Sequence, residues 1–171
     1  MHSPVSLSLS TFRLRTLAAL VSVALLGAAQ PALGATTLAT SLQGNYALNK
    51  ATLTINPLIS NQSLPIPSGL GTTTIGSAGL AGVKDSVIQK LFKDAGLGSV
   101  LKSKATKSTA TSQKGTLSGA LKAAGHSVQL TNGSYNSILG KSGWTISGVG
   151  KYKLPLGISY SIAFTLLSKK Q

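Results

Sequence analysis

Apolar and polar side chains alternate along much of the chain after residue 35, with the period of two that is typical of strands. Near the C-terminus, Trp144, Ile146 and Tyr152 share one parity of positions. Alternate positions of residues 158–166 are also apolar, with serine, alanine and threonine between them. This pattern predicts two long strands, each with one buried and one solvated face, joined by a turn at residues 154–157.

The alternation changes parity within residues 36–59, between Leu48 and Ala51. Because asparagine favours turns, Asn49 is predicted to be a turn that divides this region into two strands. Residues 60–71 contain prolines and glycines, which remove backbone donors and interrupt ladders. They are therefore predicted to form a loop.

Asn132-Gly133 lies between two alternating runs within residues 126–138. This dipeptide is the strongest short signal for a hairpin, so a type I′ turn is predicted there. Residues 102–118 differ from both runs, because lysines and small hydroxyl residues leave almost no apolar side chain to bury. They predict either a solvated edge strand or loop, or a basic binding surface.

One segment has the helical period instead. At 100° per residue its apolar side chains cover an arc of about 140°; they are Val87, Ile88, Leu91, Phe92 and Ala95. A helix over residues 86–95 is predicted, with Asp85 as its N-cap. Gly96 falls at the position that favours a left-handed conformation, and Leu97 can contact Phe92 in a Schellman ending.

These elements predict an α+β fold, in which one amphipathic helix (86–95) packs on a curved antiparallel sheet of about six to eight strands. The helix is the obvious cover for the apolar face of such a sheet. A β-sandwich or a small barrel with a peripheral helix is the alternative.

The N-terminus has the order of a secretory signal peptide: a basic segment, the apolar run 17–29, and small residues. Cleavage is predicted after Gly34, with Ala29 as the second choice. The apolar run is shorter than the ~20 residues that span a membrane. A signal peptide 1–34, a single mature domain 35–171 and a secreted location, periplasmic or extracellular, are therefore expected.

Composition argues against catalysis and metal binding. The chain has no cysteine, and its only acids are Asp85 and Asp94. Nine positions apart on one helix, their side chains point in opposite directions and lie about 13.5 Å apart along the axis, beyond the range of paired carboxylates. The S-x-x-K match at residues 99–102 has no partner motif. No catalytic residue, cofactor or metal ligand is predicted.

Charge is the remaining signal. Without the signal peptide, fourteen lysines and two aspartates give a net charge of about +12. Such a charge attracts anionic surfaces, so anionic lipid and envelope polysaccharide are the predicted partners. The absence of arginine beyond Arg15 argues against sequence-specific nucleic-acid binding. The lysines predicted to bind the anionic surface are Lys102, Lys104, Lys107 and Lys114.

The sequence therefore predicts a secreted, strongly basic, non-catalytic protein that associates with the cell envelope or another anionic surface. A carrier for an apolar ligand such as a lipid is one alternative, because a bent sheet with a helical cover can enclose a cavity. A small outer-membrane β-barrel is the second alternative, because the C-terminal strands have the alternation and length of membrane strands.

Overall fold

The computed structural model describes residues 37–56, 59–64, 70–98, 100–123, 126–153 and 159–171. One helix of ten residues, α1 (Asp85–Asp94), lies between the third and fourth of eight strands. The strands are β1 (Gly44–Asn56), β2 (Ile59–Leu64), β3 (Thr73–Ile75), β4 (Lys102–Ser108), β5 (Ser112–Ala123), β6 (His126–Gly140), β7 (Gly143–Lys153) and β8 (Ser159–Lys170).

All eight strands belong to one antiparallel sheet with the order β2-β1-β8-β7-β6-β5-β4. Strand β3 pairs with the first residues of β1, on the same edge that β2 occupies farther along. The order has two ends, β2 and β4, so the sheet is open and curved. The predicted α+β architecture is confirmed, and it is the first of the two predicted alternatives.

Helix α1 packs on one face of the sheet, which we call the inner face. Ile88, Leu91 and Phe92 are fully buried, and the Phe92 ring meets the ring of Phe164 in β8 edge to face, with centroids 5.2 Å apart. The helix ends as predicted. Gly96 adopts φ 76°, and the Leu97 N–H donates to the Phe92 carbonyl at 2.9 Å, which is a Schellman ending.

The helix begins differently from the prediction. Its N-cap is Lys84, and Asp85 is the first helical residue, so the prediction of an Asp85 N-cap is wrong. The Asp85 carboxylate instead accepts the backbone N–H of Ala105 at 2.9 Å, and the Gln89 amide donates to the carbonyl of Ser103 at 3.3 Å. Because β4 is the end of the sheet, these side chains supply the partners that a neighbouring strand would otherwise provide.

Asn49 is a bulge and not a turn. Strand β1 runs without interruption from Gly44 to Asn56, and its pairing with β8 steps from Leu48↔Ser168 to Lys50↔Leu167. One extra residue, Asn49, therefore stands in β1. A bulge reverses the parity of the buried side chains without reversing the chain, which explains the switch that the sequence pattern contained.

The prediction of a hairpin at Asn132-Gly133 is also wrong. Strand β6 runs from His126 to Gly140, and its pairing with both neighbours shifts by one residue between Leu130 and Ser134. Asn132 has φ 52°, which asparagine tolerates better than most residues. The dipeptide supplies the left-handed residue of a bulge, while the neighbouring strands keep pairing on both sides.

Residues 60–64 of the predicted loop 60–71 lie in β2, which pairs with β1, so this part of the loop prediction is wrong. Residues 102–108 form β4, an edge strand as predicted for the segment 102–118, whereas residues 112–118 begin β5, which has a neighbouring strand on each side. The predicted signal peptide 1–34 and the turn at 154–157 lie outside the described residues. In the part of the chain described, no helix is long and apolar enough to cross a membrane.

The inner face also buries polar side chains, among them Tyr135 and Gln113, which are hydrogen-bonded to each other. The Tyr135 hydroxyl donates to the Gln113 side-chain oxygen at 3.1 Å, and the Gln113 amide donates to the carbonyls of Leu80 and Val83. Burial, together with the negative charge of Asp85, raises the pKa of Tyr135 to about 12. This hydrogen-bonded group joins the 3₁₀ turn Gly79–Gly82 to the centre of β5 and β6.

Candidate binding face

The face of the sheet opposite α1, which we call the outer face, is formed by the other parity of each strand. Directly paired residues on antiparallel strands point to the same side, so the register identifies its members. One row crosses seven strands through consecutive pairs. It consists of Ser63, Thr52, Thr165, Ser147, Asn136, Lys114 and Lys107.

A second row lies beside the first. It consists of Thr54, Ala163, Val149, Ser134, Thr116 and Lys104. Hydroxyl residues thus make up four of the seven positions in the first row and three of the six in the second, and both rows end in lysine at β4. The second row also contains two apolar side chains, Ala163 and Val149, and Val149 is 55% exposed near the middle of the face.

Nine of the fourteen lysines in the sequence lie on the outer face, and all nine are exposed. They are Lys50, Lys102, Lys104, Lys107, Lys114, Lys122, Lys151, Lys153 and Lys169. Both acids of the chain lie on α1, which packs on the inner face. The outer face is therefore cationic without a carboxylate to neutralise it.

The four lysines predicted as a binding surface share this face, at the β4 edge. Lys104 and Lys107 are three positions apart, a spacing that would place them on opposite sides of a regular strand. Thr106 is an extra residue in β4, and this bulge returns Lys107 to the side of Lys104. Lys107 then stands directly opposite Lys114, a like-charge pair that destabilises a sheet unless an anion lies nearby.

Two depressions of about 520 Å³ each lie on the outer face, and Val149 lines both. The other residues that line the first are Thr54, Asn56, Asn132, Gly150, Lys151, Ser161, Ile162 and Ala163. The other residues that line the second are Thr106, Lys114, Gly115, Thr116, Ser134, Tyr135, Asn136 and Ser147. More than half of the residues in each lining carry a hydroxyl, amide or ammonium group, and we call the two depressions together the trough.

The structure separates the two acids from the lysines of the outer face. The Asp85 carboxylate accepts a backbone N–H at the β4 edge, and Asp94 pairs with Lys90 one helical turn earlier. Among the described residues there is no group of three or more potential metal ligands of the His, Cys, Asp or Glu type. The arrangement can therefore offer cations and neutral hydrogen-bonding groups to a ligand, but no carboxylate on the outer face.

Of the lysines predicted to bind, only Lys114 lines the trough, so sequence reasoning missed most of the trough's residues, including two asparagines. Asn132 lines it because of the bulge that was predicted as a turn. Asn136 lines it too, and its side-chain oxygen is buried without a hydrogen-bond partner in the described structure. A polar residue between Tyr135 and Ser137 on an alternating strand was the only signal for Asn136, and solvated outer positions have the same signal.

No family model, no curated protein and no solved structure matches the chain.

Proposed function

We propose that this protein is a secreted, non-catalytic protein that binds an anionic surface of the cell envelope through the outer face of its sheet. The observation that carries the proposal is the separation of charge, with nine lysines on the outer face and both acids on α1. Anionic lipid and envelope polysaccharide are two kinds of surface outside the cytoplasm whose negative charge is opposite to that of the lysines.

The position of the lysines supports surface binding. Lysine presents a compact charge on a flexible stem, which suits attraction to a charged surface better than bidentate recognition of one group. The β4 edge concentrates four of these charges on two neighbouring strands, including the opposed pair Lys107 and Lys114. A negatively charged surface would offset the repulsion between Lys107 and Lys114, and it would also attract the other lysines of the outer face.

Two anionic probes test the proposal, vesicles that contain phosphatidylglycerol and the acidic polysaccharide alginate. Phosphatidylcholine vesicles and dextran are their neutral counterparts. The protein is expected to bind at least one anionic probe at low salt, to release it at high salt, and to bind neither neutral one. Co-sedimentation measures vesicle binding, and titration calorimetry measures polymer binding.

Two variants of equal net charge test the face itself. One replaces Lys102, Lys104, Lys107 and Lys114 by glutamine, and the other replaces Lys84, Lys90, Lys93 and Lys141. Because a lysine near an anionic surface contributes about 1 kcal/mol, the first variant should lose about a hundredfold or more in affinity. The second should lose far less, since its lysines lie on α1 and in the β6–β7 turn. Equal losses, or equal binding to anionic and neutral probes, would contradict the proposal.

A further inference from the structure

We infer that the trough is the binding site for a single chain of an acidic polysaccharide, whose hydroxyl groups lie along the two rows while its anionic groups meet the lysines. This inference rests on the proposed function and names the ligand of the same face. The occupant follows from the length of the trough, the spacing of its charges and the chemistry of its lining.

The trough has the length of a polymer site. Its lining extends from Thr54 on β1 to Thr106 on β4, across β8, β7, β6 and β5. Five strand spacings of about 4.8 Å give about 24 Å. Val149 lines both depressions, which therefore lie side by side on the face, and a linear ligand that passes over Val149 can occupy both. A single small anion would leave most of this length empty.

The charges within the trough are spaced and not continuous. Lys151 lines one depression, and Lys114 lines the other, with Lys107 beside it in the register. Between them the lining consists mainly of hydroxyl and amide groups. This alternation fits a chain that carries hydroxyls with an acidic group at intervals. Polyphosphate, which is charged at every unit, would place anions against neutral hydroxyl groups along the middle of the trough.

Two other polyanionic partners fit the face less well. Single-stranded nucleic acid is bound through aromatic platforms, and every aromatic side chain described by the structure belongs to the inner face or to α1. A bilayer is planar and cannot enter a depression. The face also offers few large apolar side chains for insertion, chiefly Ile138 and Val149.

Three polar side chains of the trough can bind a hydroxyl-rich ligand; the Thr106 hydroxyl already donates to the Lys114 carbonyl at 3.2 Å, so it offers its oxygen as an acceptor. The buried oxygen of Asn136 has no donor in the described structure, and a buried acceptor of this kind is satisfied in most proteins. Asn132 and Thr106 stand at the two bulges, a position at which bulges commonly redirect a side chain toward a site. A sugar hydroxyl can donate to such an acceptor or accept from an amide.

Filling the trough tests the inference without changing charge. Ala163 and Ser147 are exposed strand positions, one in each depression, where tyrosine is well tolerated in a sheet. The Ala163→Tyr, Ser147→Tyr double variant should bind alginate at least about tenfold more weakly than the unmodified protein. A tenfold loss corresponds to the loss of about one or two hydrogen bonds to the ligand. Ser127→Tyr places the same side chain on the outer face outside the trough and should leave alginate affinity unchanged.

The outcomes separate this inference from the proposed function. Weaker alginate binding by the double variant, with phosphatidylglycerol vesicles bound as before or not at all, supports a polysaccharide trough. Unchanged alginate binding by the double variant would contradict the polysaccharide trough but not the proposed binding of an anionic surface by the lysines. Binding of the unmodified protein to vesicles but not to alginate would have the same meaning. Binding to neither probe overturns both. Circular dichroism and urea midpoints verify that each variant is folded.

Discussion

The two faces of one sheet are built from the same strands and have opposite chemistry. The inner face contacts α1, buries the aromatic side chains and gives its buried side-chain donors partners, as with Tyr135 and Gln113. The outer face presents hydroxyls, amides and nine lysines to solvent. Both acids of the chain lie on the helix that covers the inner face.

This difference shows how stability and binding can be divided within a thin fold. Along a regular strand, side chains two positions apart point to the same face of the sheet, and the side chain between them points to the opposite face. Substitutions on the outer face can therefore alter charge without disturbing the core. The inner face has no such freedom, because each of its large side chains contacts several others.

The largest effect is expected where α1 meets the sheet. Phe92→Ala removes a fully buried ring that packs edge to face on Phe164, and should lower the free energy of unfolding by about 3–5 kcal/mol. Urea denaturation measures the change. Val149→Ala on the outer face should cost well under about 1 kcal/mol, because this side chain is 55% exposed. Similar losses for both variants would show that the faces are not divided in this way.

The next effect concerns the β4 edge. Asp85→Ala leaves the Ala105 N–H without its acceptor and should cost about 1–3 kcal/mol, measured by urea denaturation. Asp85→Asn keeps an acceptor oxygen and should recover part of this loss. Asp94→Ala removes only the surface pair with Lys90, worth about 0.5 kcal/mol or less. If the two alanine variants are equally stable, Asp85 does not hold the edge.

The smallest effect depends on pH. The pKa of Tyr135 is raised from 10.0 to about 12 by burial and by Asp85, so folding favours the neutral phenol. Its contribution to stability is complete below pH 10 and is lost as the pH rises toward 12. The urea midpoint should therefore fall more steeply above pH 10 in the unmodified protein than in Tyr135→Phe. Parallel curves would indicate that Tyr135 does not titrate in this window.

Local sequence was sufficient for the helix. The apolar arc placed α1 within one residue of its observed bounds, and Gly96 with Leu97 predicted the Schellman ending. These features depend on contacts between residues at most five positions apart. The N-cap prediction for Asp85 was wrong because its carboxylate accepts the N–H of Ala105, which is twenty residues away. A local sequence pattern contains no information about a partner at that distance.

The predictions of turns at Asn49 and Asn132 were wrong for the same reason. A change of parity at Asn49, or a left-handed residue at Asn132, is compatible with both a turn and a bulge. The choice depends on whether a partner strand continues alongside, and here β8 continues past Asn49 while β5 and β7 continue past Asn132. The same uncertainty applies to the candidate binding face, because Thr106 and Asn132 line the trough at bulges that the sequence pattern cannot distinguish from turns.

The sequence by itself determined the period of most elements, the α+β class, the C-terminal ending of the helix and the excess of lysine over acid, because all of these are local or compositional. The tertiary structure decided which lysines share a face, how the β4 edge is protected and where the trough lies. Lys107 and Lys114 became neighbours through strand register and one extra residue. Register is set by pairing between distant segments, so the alternation along a single strand cannot specify it.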